Sequence, residues 1–360
     1  MSCPWDSTPS SPTRAAGALL ATLLVGCAGE APVPVFVGFD ADQTAELHVT
    51  AWAGDTLLGD SAQHLLNEEG YDAVFAQLGH LDLGDAFVVN AEAPITDLRE
   101  PYYDPPGWHY NAFPPAAAAL ARFGVDAIGL SNNHVYDRGP DGIEDTLEHA
   151  DAAGLAAFGA GLDGLRAGEP LIIETHHGRL AVLAFNKGFS KVPAAGPVQP
   201  GALTYSTANL RAGHALAVDR GADFVAAYVH WGNNYSDVKS EQREAAQRFA
   251  DEGYDLVVGH GSHMQQPVEL IGAMPVLFSV GNFIFGTGGR FTDEFPGYGL
   301  LVRTFLGEHG FEGLAVRCLS TNNALVAFVP RECEESEAQD VLGALHPGIE
   351  VVDGEGWIGW

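Results

Sequence analysis

Side chains that bind metal ions or move protons recur in this sequence directly after short apolar runs. Asp55 follows the apolar residues 47–53, and Asn133 and His134 follow residues 125–130. The other side chains in such positions are Glu92, His230, His260 and His263. Short apolar runs between turn residues are typical of buried strands, and open α/β sheets carry their functional groups beyond the carboxyl ends of the strands. We therefore expect these side chains to meet at one edge of a sheet.

The expected site mixes carboxylate oxygen, amide oxygen and imidazole nitrogen, which suits Mn, Fe or Zn with open coordination positions. A structural zinc site built from cysteines is excluded, because the four cysteines do not form closely spaced pairs. Each motif is weak alone, since a single Asn-Asn-His is more often a turn with a hydrogen-bonded histidine. Their shared position after strands favours a metal site. The predicted ligands are Asp55, Glu92, Asn133, His230, His260 and His263.

A βα unit is the clearest element that would position these groups. Residues 125–130 form an apolar run of strand length, and residues 139–142 place proline and an acidic residue where a helix begins. Apolar residues at i, i+4 and i+7 from Ile143 share one helix face and predict a helix that ends near Gly154. The loop between strand and helix carries the Asn-Asn-His residues.

The rest of the chain alternates between predicted strands and helices. Further helices are predicted at residues 61–80, 116–123, 207–220 and 240–252. Further strands are predicted at residues 86–89, 171–173, 180–185, 224–229, 256–258, 267–271, 275–280, 300–306, 312–318 and 324–329. The tight turn at residues 176–178 indicates a hairpin, so the sheet is mixed and the fold class is α/β. Residues 101–115, rich in proline and aromatic residues, indicate a loop at the rim of the site.

The composition indicates a globular and strongly acidic protein. The chain has 360 residues, of which 46% are hydrophobic and 18% charged, enough for one large or two modest domains. A net charge of −30 argues against binding nucleic acid or an anionic membrane surface through a basic patch. An acidic protein that handles an anionic substrate must supply positive charge locally, and bound divalent metal ions are one way to do so.

The amino-terminal residues resemble a bacterial lipoprotein signal peptide. Arg14 precedes an apolar stretch that ends in Leu24-Val25-Gly26-Cys27, which resembles a lipobox. The stretch is too short for a membrane-spanning helix of about 20 residues, so cleavage is favoured over a retained span. A buried amino-terminal helix is the alternative. We expect residues 1–26 to be removed, Cys27 to be lipidated and residues 27–46 to tether an exported protein to the membrane.

The number of cysteines left after the expected processing is consistent with an exported protein. Loss of Cys3 and lipidation of Cys27 leave Cys318 and Cys333 as an even pair in an oxidising compartment. A disulfide between them is one expectation, and two separate buried thiols are the other.

Six short motifs occur in order between residues 47 and 330. They are Gly54-Asp55, Asn90-Ala91-Glu92-Ala93-Pro94, Asn132-Asn133-His134 with Asp137 and Gly139, His230-Trp231-Gly232, Gly259-His260 with His263 and Gln265, and Ser279-Val280-Gly281-Asn282-Phe283-Ile284-Phe285. Together they resemble the CapA-type poly-γ-glutamate capsule proteins of the calcineurin-like metallophosphatase superfamily. The resemblance implies a metallophosphatase-like four-layer αββα sandwich with mixed sheets over residues 47–330, a centre of two divalent metal ions, and a carboxyl-terminal extension at residues 331–360.

The sequence departs from the family pattern at three places. Asn234 stands where the family usually has glutamate before Tyr235, and Gly261-Ser262 interrupts the usual Gly-His-His-Pro-His. Thr56 and Leu57 follow Asp55 in place of the superfamily's Asp-x-His, which implies fewer ligands for one metal. The predicted ligands are present despite these changes. The changed residues belong instead to the groups around the ligands, which influence the choice of substrate.

Proton transfer is assigned to His134, with Asp137 three residues later fixing its tautomer, as a general acid requires. A simple loop-capping contact between the two is the alternative. Asn132 and Asn282 are expected to position substrate by hydrogen bonds.

Two classes of function follow. The first is a metal-dependent hydrolase acting on a phosphoester or related anionic bond at the cell envelope. The second is a component of an anionic-polymer synthesis or export machine with membrane partners, in which the metals grip carboxylates and no bond is broken. The family name favours the second class, and retention of the ligands favours the first.

Overall fold

The computed structural model describes Phe39 and residues 41–103, 107–292 and 296–360. The signal peptide, the lipidated Cys27 and most of the tether predicted above lie outside the described residues. Within this part of the chain, no helix is both long and apolar enough to cross a membrane.

Eighteen strands and eight α-helices make up the described chain, with short 3-10 turns between some of them. The strands are β1 His48–Leu57, β2 Ala86–Ala91, β3 Ala127–Gly129, β4 Ala156–Phe158, β5 Ala160–Gly161, β6 Leu171–Thr175, β7 Gly178–Asn186, β8 Gly201–Ala202, β9 Phe224–His230, β10 Leu256–His260, β11 Gln265–Ile271, β12 Met274–Val280, β13 Asn282–Phe285, β14 Tyr298–Gly307, β15 Gly310–Ser320, β16 Arg331–Glu332, β17 Glu350–Val352 and β18 Glu355–Gly359. The helices are α1 Gln63–Glu69, α2 Pro115–Phe123, α3 Gly139–Ala153, α4 Gly164–Gly168, α5 Thr207–Asp219, α6 Ser240–Asp251, α7 Asn323–Val326 and α8 Glu335–Leu345.

Two mixed sheets contain most of the strands. The ten-stranded sheet has the order β17-β18-β15-β14-β1-β2-β3-β4, with β13 also paired to β1 and β16 to β15. The six-stranded sheet has the order β11-β12-β10-β9-β7-β6. Strands β1 to β4 run parallel in the first sheet, and β7, β9, β10 and β12 run parallel in the second. Each sheet therefore gathers several strand carboxyl ends at one edge.

The two sheets pack face to face, and helices cover their outer faces. Trp52 of the larger sheet and Tyr228 of the smaller one belong to the same buried core between the sheets. Ala51 and Ala53 point to the opposite face of β1, into a core shared with Ile143 of α3. Helices α5 and α6 cover the outer face of the smaller sheet in a third core. The predicted αββα sandwich with mixed sheets is confirmed.

Two predicted elements are wrong. The helix predicted at residues 61–80 ends at Glu69, because Gly70 takes a φ of 89° and the chain continues as a 3-10 turn, Tyr71–Phe75. The strand predicted at residues 324–329 is instead the short helix α7. The Asn322 side chain accepts a hydrogen bond from the Ala324 backbone N–H and caps α7, a local bond that competes with strand formation.

Residues 331–360, predicted as an extension, supply α8 and three strands of the larger sheet. Strand β18 pairs with β15, and Leu342 of α8 is buried in the core between the sheets. Cys318 on β15 and Cys333 after β16 form a disulfide with their Cα atoms 5.4 Å apart. The carboxyl-terminal segment is thus tied to the sheet both by strand pairing and covalently.

Candidate metal centre

Five of the predicted ligands come from strand ends of both sheets. Asp55 lies near the end of β1, opposite Asn282 of β13 and Asn90 of β2 in the sheet register. In the other sheet His260 ends β10 directly beside His230, which ends β9. The ligands that are buried together at this edge are Asp55, Glu92, His230, His260 and His263. The edge predicted from sequence therefore exists, and the two sheets share it.

One group of ligand atoms centres on the Oδ1 atom of Asp55. The Nδ1 atom of His260 lies 3.1 Å from Asp55 Oδ1 and 3.1 Å from the Nδ1 atom of His230. His230 Nδ1 lies 3.7 Å from the same carboxylate oxygen. Ligand atoms bound at about 2.0–2.1 Å in a tetrahedral arrangement lie about 3.3 Å apart. The three atoms are spaced as ligands of one metal ion would be.

A second group shares Asp55 and adds Glu92 and His263. His263 Nδ1 lies 3.1 Å from Asp55 Oδ2 and 3.0 Å from Asn282 Oδ1. Its other ring nitrogen, Nε2, lies 3.9 Å from Glu92 Oε1. The chosen ligand atoms in each group lie within 4.8 Å of one another. Asp55 is therefore common to two sets of three possible ligands.

Unsatisfied polar atoms mark the same place. Within the described part of the chain, both carboxylate oxygens of Glu92, Nε2 of His260 and Oδ1 of Asn133 are buried without a hydrogen-bond partner. Burying a carboxylate without a partner is costly, and such groups in native proteins are usually paired or bound to metal. The donor set of carboxylate, amide and imidazole groups also suits a divalent transition metal. The residues present therefore fit a metal centre.

Burial and mutual contacts set the charges of this cluster. Burial, together with the negative charge of Asp55, raises the pKa of Glu92 well above its usual range. Burial alone would raise the pKa of Asp55 too, but hydrogen bonds to His260 and His263 outweigh it and hold that pKa well below its usual range. Burial lowers the pKa of His230 and of His260. The lowered pKa favours the neutral imidazole at these two residues, which is the form that binds metal.

Several residues that sequence reasoning did not single out hold Asp55 in place. Asn90 donates from Nδ2 to Asp55 Oδ1 at 2.9 Å, and the backbone N–H of Gly261 donates to Oδ2 at 3.1 Å. The Tyr228 hydroxyl, from the other sheet, donates to the carbonyl of Ala53, two residues before Asp55. Asn90 opens one of the six family motifs, so a polar side chain at the end of a predicted buried strand was a signal for it. Tyr228 gave none.

The predicted pair His134 and Asp137 lies beside the cluster. His134 Nδ1 lies 2.7 Å from Asp137 Oδ2, and that oxygen also accepts from the backbone N–H of Tyr110 at 2.7 Å. With Nδ1 engaged by a carboxylate, the Nε2 atom of His134 is the ring nitrogen available for proton exchange. The structure therefore brings the two residues together in the geometry that a histidine acid requires.

Asn132 and Asn282, predicted to position substrate, are both buried and lie outside the cavity wall. Asn132 donates to Asn90 Oδ1 at 3.0 Å and accepts from the His134 backbone N–H at 3.0 Å. Asn282 contacts His263, as given above. Within the structure these asparagines orient neighbouring site residues.

A cavity of about 480 Å³ opens in front of the cluster. Its wall includes Asn133, His134, Asp137, His263, Trp108, Lys191, Tyr235 and Arg290. Trp108 belongs to the loop predicted at the rim. Lys191 and Arg290 lie on irregular segments that no periodicity marked.

Two mixed sheets in a helix-covered sandwich, with a buried carboxylate and imidazole cluster at the shared edge, define an α/β protein with a candidate metal centre. Residues 49–287 match the model of the bacterial capsule synthesis protein family PGA_cap, and the chain belongs to that family.

The capsule biosynthesis protein CapA of Bacillus anthracis is 28% identical over 300 residues, which cover 81% of this chain and 69% of that protein. The PGA biosynthesis protein CapA of Bacillus subtilis (strain 168) is 25% identical over 308 residues, covering 85% and 79%. The structure of Haemophilus influenzae NAD nucleotidase aligns with a TM-score of 0.39 at 13% identity, covering 64% of this chain and 47% of that one.

Proposed function

We propose that this chain is a CapA-like protein of the cell envelope that takes part in the synthesis or export of poly-γ-glutamate or another anionic capsule polymer. Family membership and the names of the CapA relatives support the polymer. We further propose export, lipid anchoring at Cys27 and membrane synthase or export partners. The observation that carries the proposal is the pair of ligand groups that share Asp55.

The proposed cofactors are two divalent ions of Mn, Fe or Zn. Their ligands would be Asp55, Glu92, Asn133, His230, His260 and His263. When bound, such ions supply the positive charge that an acidic chain needs to hold or polarise an anionic group.

The chain's own residues prepare the site for an anion. Asn90 and the Gly261 backbone fix the Asp55 carboxylate, as described above. The ring of Phe189 packs against His230 with centroids 5.5 Å apart, and that of Phe285 packs against His263 at 4.9 Å. These rings limit water around the ligands and so strengthen electrostatic contacts to a bound carboxylate or phosphate.

A metal-dependent phosphoesterase-type hydrolase is the second candidate function. The pairing of His134 with Asp137 at the cavity wall favours it, because a protein that only grips a polymer does not need a histidine held for proton transfer. In this candidate His134 protonates the leaving group, and Asp137 stabilises the charged imidazole.

Binding of γ-linked polyglutamate, measured by calorimetry with and without added Mn²⁺, tests the first function. The wild type should bind much more tightly with metal than without it, and the double variant His260→Ala with His263→Ala should lose that metal-dependent gain. The matched control, His214→Ala with His309→Ala, removes two histidines outside both ligand groups and should bind as the wild type does. Metal-independent binding of equal strength by all three proteins contradicts the proposal.

A further inference from the structure

Arg290 stands out among the basic residues because of its surroundings. Its guanidinium carbon lies 5.5 Å from the centre of the Trp108 ring and 5.2 Å from that of the Tyr235 ring. Within the described residues no carboxylate pairs with Arg290, whereas Arg303, for example, contacts both Asp82 and Glu355. Two aromatic rings therefore hold Arg290 at the cavity wall, and its planar guanidinium carries five N–H donors, more than its contact with Tyr235 uses.

The aromatic support of Arg290 is connected to the metal-ligand loop. The Tyr235 ring lies 5.8 Å from the His263 ring, centre to centre. The Tyr235 backbone N–H donates to the carbonyl of Ser262 at 2.8 Å. A ligand group bound by Arg290 therefore lies one aromatic ring away from the candidate metal centre.

A second cation lines the same cavity. A Cβ atom added at Gly107 would lie 2.4 Å from the Lys191 Nζ atom, so the ammonium group lies directly against the Gly107 backbone, next to Trp108. Asp60 also lines the cavity, and Asp137 there is engaged by His134. The concentration of Arg290 and Lys191 in one cavity is notable in a chain with 17 basic and 47 acidic residues.

We propose that Arg290 forms a subsite for a carboxylate of a polycarboxylate chain whose neighbouring unit occupies the metal centre. This deepens the proposed function and rests on it for the identity of the polymer. Arginine suits the task because its planar N–H fork binds both oxygens of a carboxylate, and stacking on Trp108 and Tyr235 fixes the fork before the ligand arrives.

Simultaneous use of two sites gives the subsite a distinctive signature. A γ-linked glutamate oligomer can engage the metal centre and Arg290 together, whereas free glutamate engages one site at a time. The oligomer should therefore bind more tightly than glutamate, and this advantage should depend on Arg290.

The test compares Kd values of a γ-linked glutamate oligomer and of glutamate for Mn²⁺-loaded protein. Arg290→Gln should weaken oligomer binding about 10-fold to 100-fold, the range of a hydrogen bond to a charged group. Metal content should stay the same, and glutamate affinity should fall far less than oligomer affinity, because glutamate still binds at the metal centre. The oligomer affinity of Arg290→Lys should lie between those of the wild type and Arg290→Gln, because lysine keeps the charge but lacks the planar pair of N–H donors. Thermal melting checks that each variant is folded.

Arg248→Gln is the matched control. Arg248 lies over the Tyr205 ring at 5.6 Å on α6, outside the cavity wall, so its loss removes the same charge and the same kind of ring contact. It should change oligomer affinity by no more than about twofold. An equal loss in Arg248→Gln, or wild-type affinity in Arg290→Gln, overturns the subsite.

Protein stripped of metal separates the subsite from the proposed function. Weak oligomer binding that persists without metal and disappears in Arg290→Gln supports the subsite even if the metal centre is wrong. Metal-dependent oligomer binding that is equally strong in Arg290→Gln overturns the subsite and leaves the proposed metal centre standing. A metal-loaded wild type that binds oligomer no better than glutamate also overturns it and leaves the metal centre standing.

Discussion

Tyr228→Phe tests whether the contact between the two sheets supports the metal centre. The Tyr228 side chain is fully buried between the sheets, and its hydroxyl donates to the carbonyl of Ala53. Ala53 precedes Gly54-Asp55, so this hydrogen bond fixes the strand segment that carries the shared ligand. The centre of the Tyr228 ring also lies 4.3 Å from the centre of the His260 ring.

The expected magnitudes follow from that single missing hydroxyl. The phenyl ring still fills its space, so the main cost is a buried carbonyl without its partner, about 1–3 kcal/mol. Groups that orient metal ligands typically contribute 10-fold to 100-fold in metal affinity. Because Tyr228 acts through the backbone rather than on a ligand directly, we expect about a 10-fold weaker Kd for Mn²⁺.

Tyr254→Phe is the control. Tyr254 is also buried, in the core under α5 and α6, and its hydroxyl donates to the carbonyl of Leu210 at 3.0 Å rather than to a segment that carries a ligand. Urea unfolding of metal-free protein should show a similar loss of stability in both variants. Chelator competition should show weaker metal binding only in Tyr228→Phe. Wild-type metal affinity in Tyr228→Phe, or an equal loss in Tyr254→Phe, would refute the reasoning.

Three further predictions concern the proton donor, the disulfide and the anchor. If the protein is a hydrolase, His134→Ala should keep its metal and lower turnover of an activated phosphoester about 10²-fold or more; unchanged turnover would remove His134 from the mechanism. Reducing the Cys318–Cys333 disulfide, which spans 15 residues, should cost about 3 kcal/mol in urea unfolding, and two free thiols in denatured, unreduced protein would contradict the bond. Intact mass of the membrane fraction should show lipid on Cys27 and no residues 1–26; anchored, uncleaved Cys27→Ala protein would contradict this.

The site cluster could be predicted from sequence because parallel strands impose it. An apolar run followed by Asp55, His230 or His260 is a local pattern, and topology alone then brings the strand ends together. The same local reasoning failed at residues 61–80 and 324–329. In the first segment Gly70, with its positive φ, ends the helix early. In the second segment Asn322 caps a short helix where a strand was predicted.

Other parts depend on contacts between distant segments and left no periodic signal. Strand β13 exists because it pairs with β1, more than two hundred residues earlier in the chain. Arg290 contacts Trp108, which lies more than 180 residues earlier in the chain, so charge and spacing along the sequence did not reveal this contact. The hydrogen bonds of Asn132 to Asn90 and of Asn282 to His263 likewise join distant segments and left no signal in the sequence. The role of the two asparagines in positioning substrate stays a prediction.

The metal content of purified protein shows whether the two ligand groups bind ions. Asp55 belongs to both ligand groups, whereas His260 and His263 each belong to one. We therefore expect elemental mass spectrometry on folded protein to find two ions per chain in the wild type, one in His260→Ala and in His263→Ala, and none in Asp55→Ala. Folded wild-type protein that takes up no transition metal, or Asp55→Ala protein that keeps both ions, would contradict this expectation.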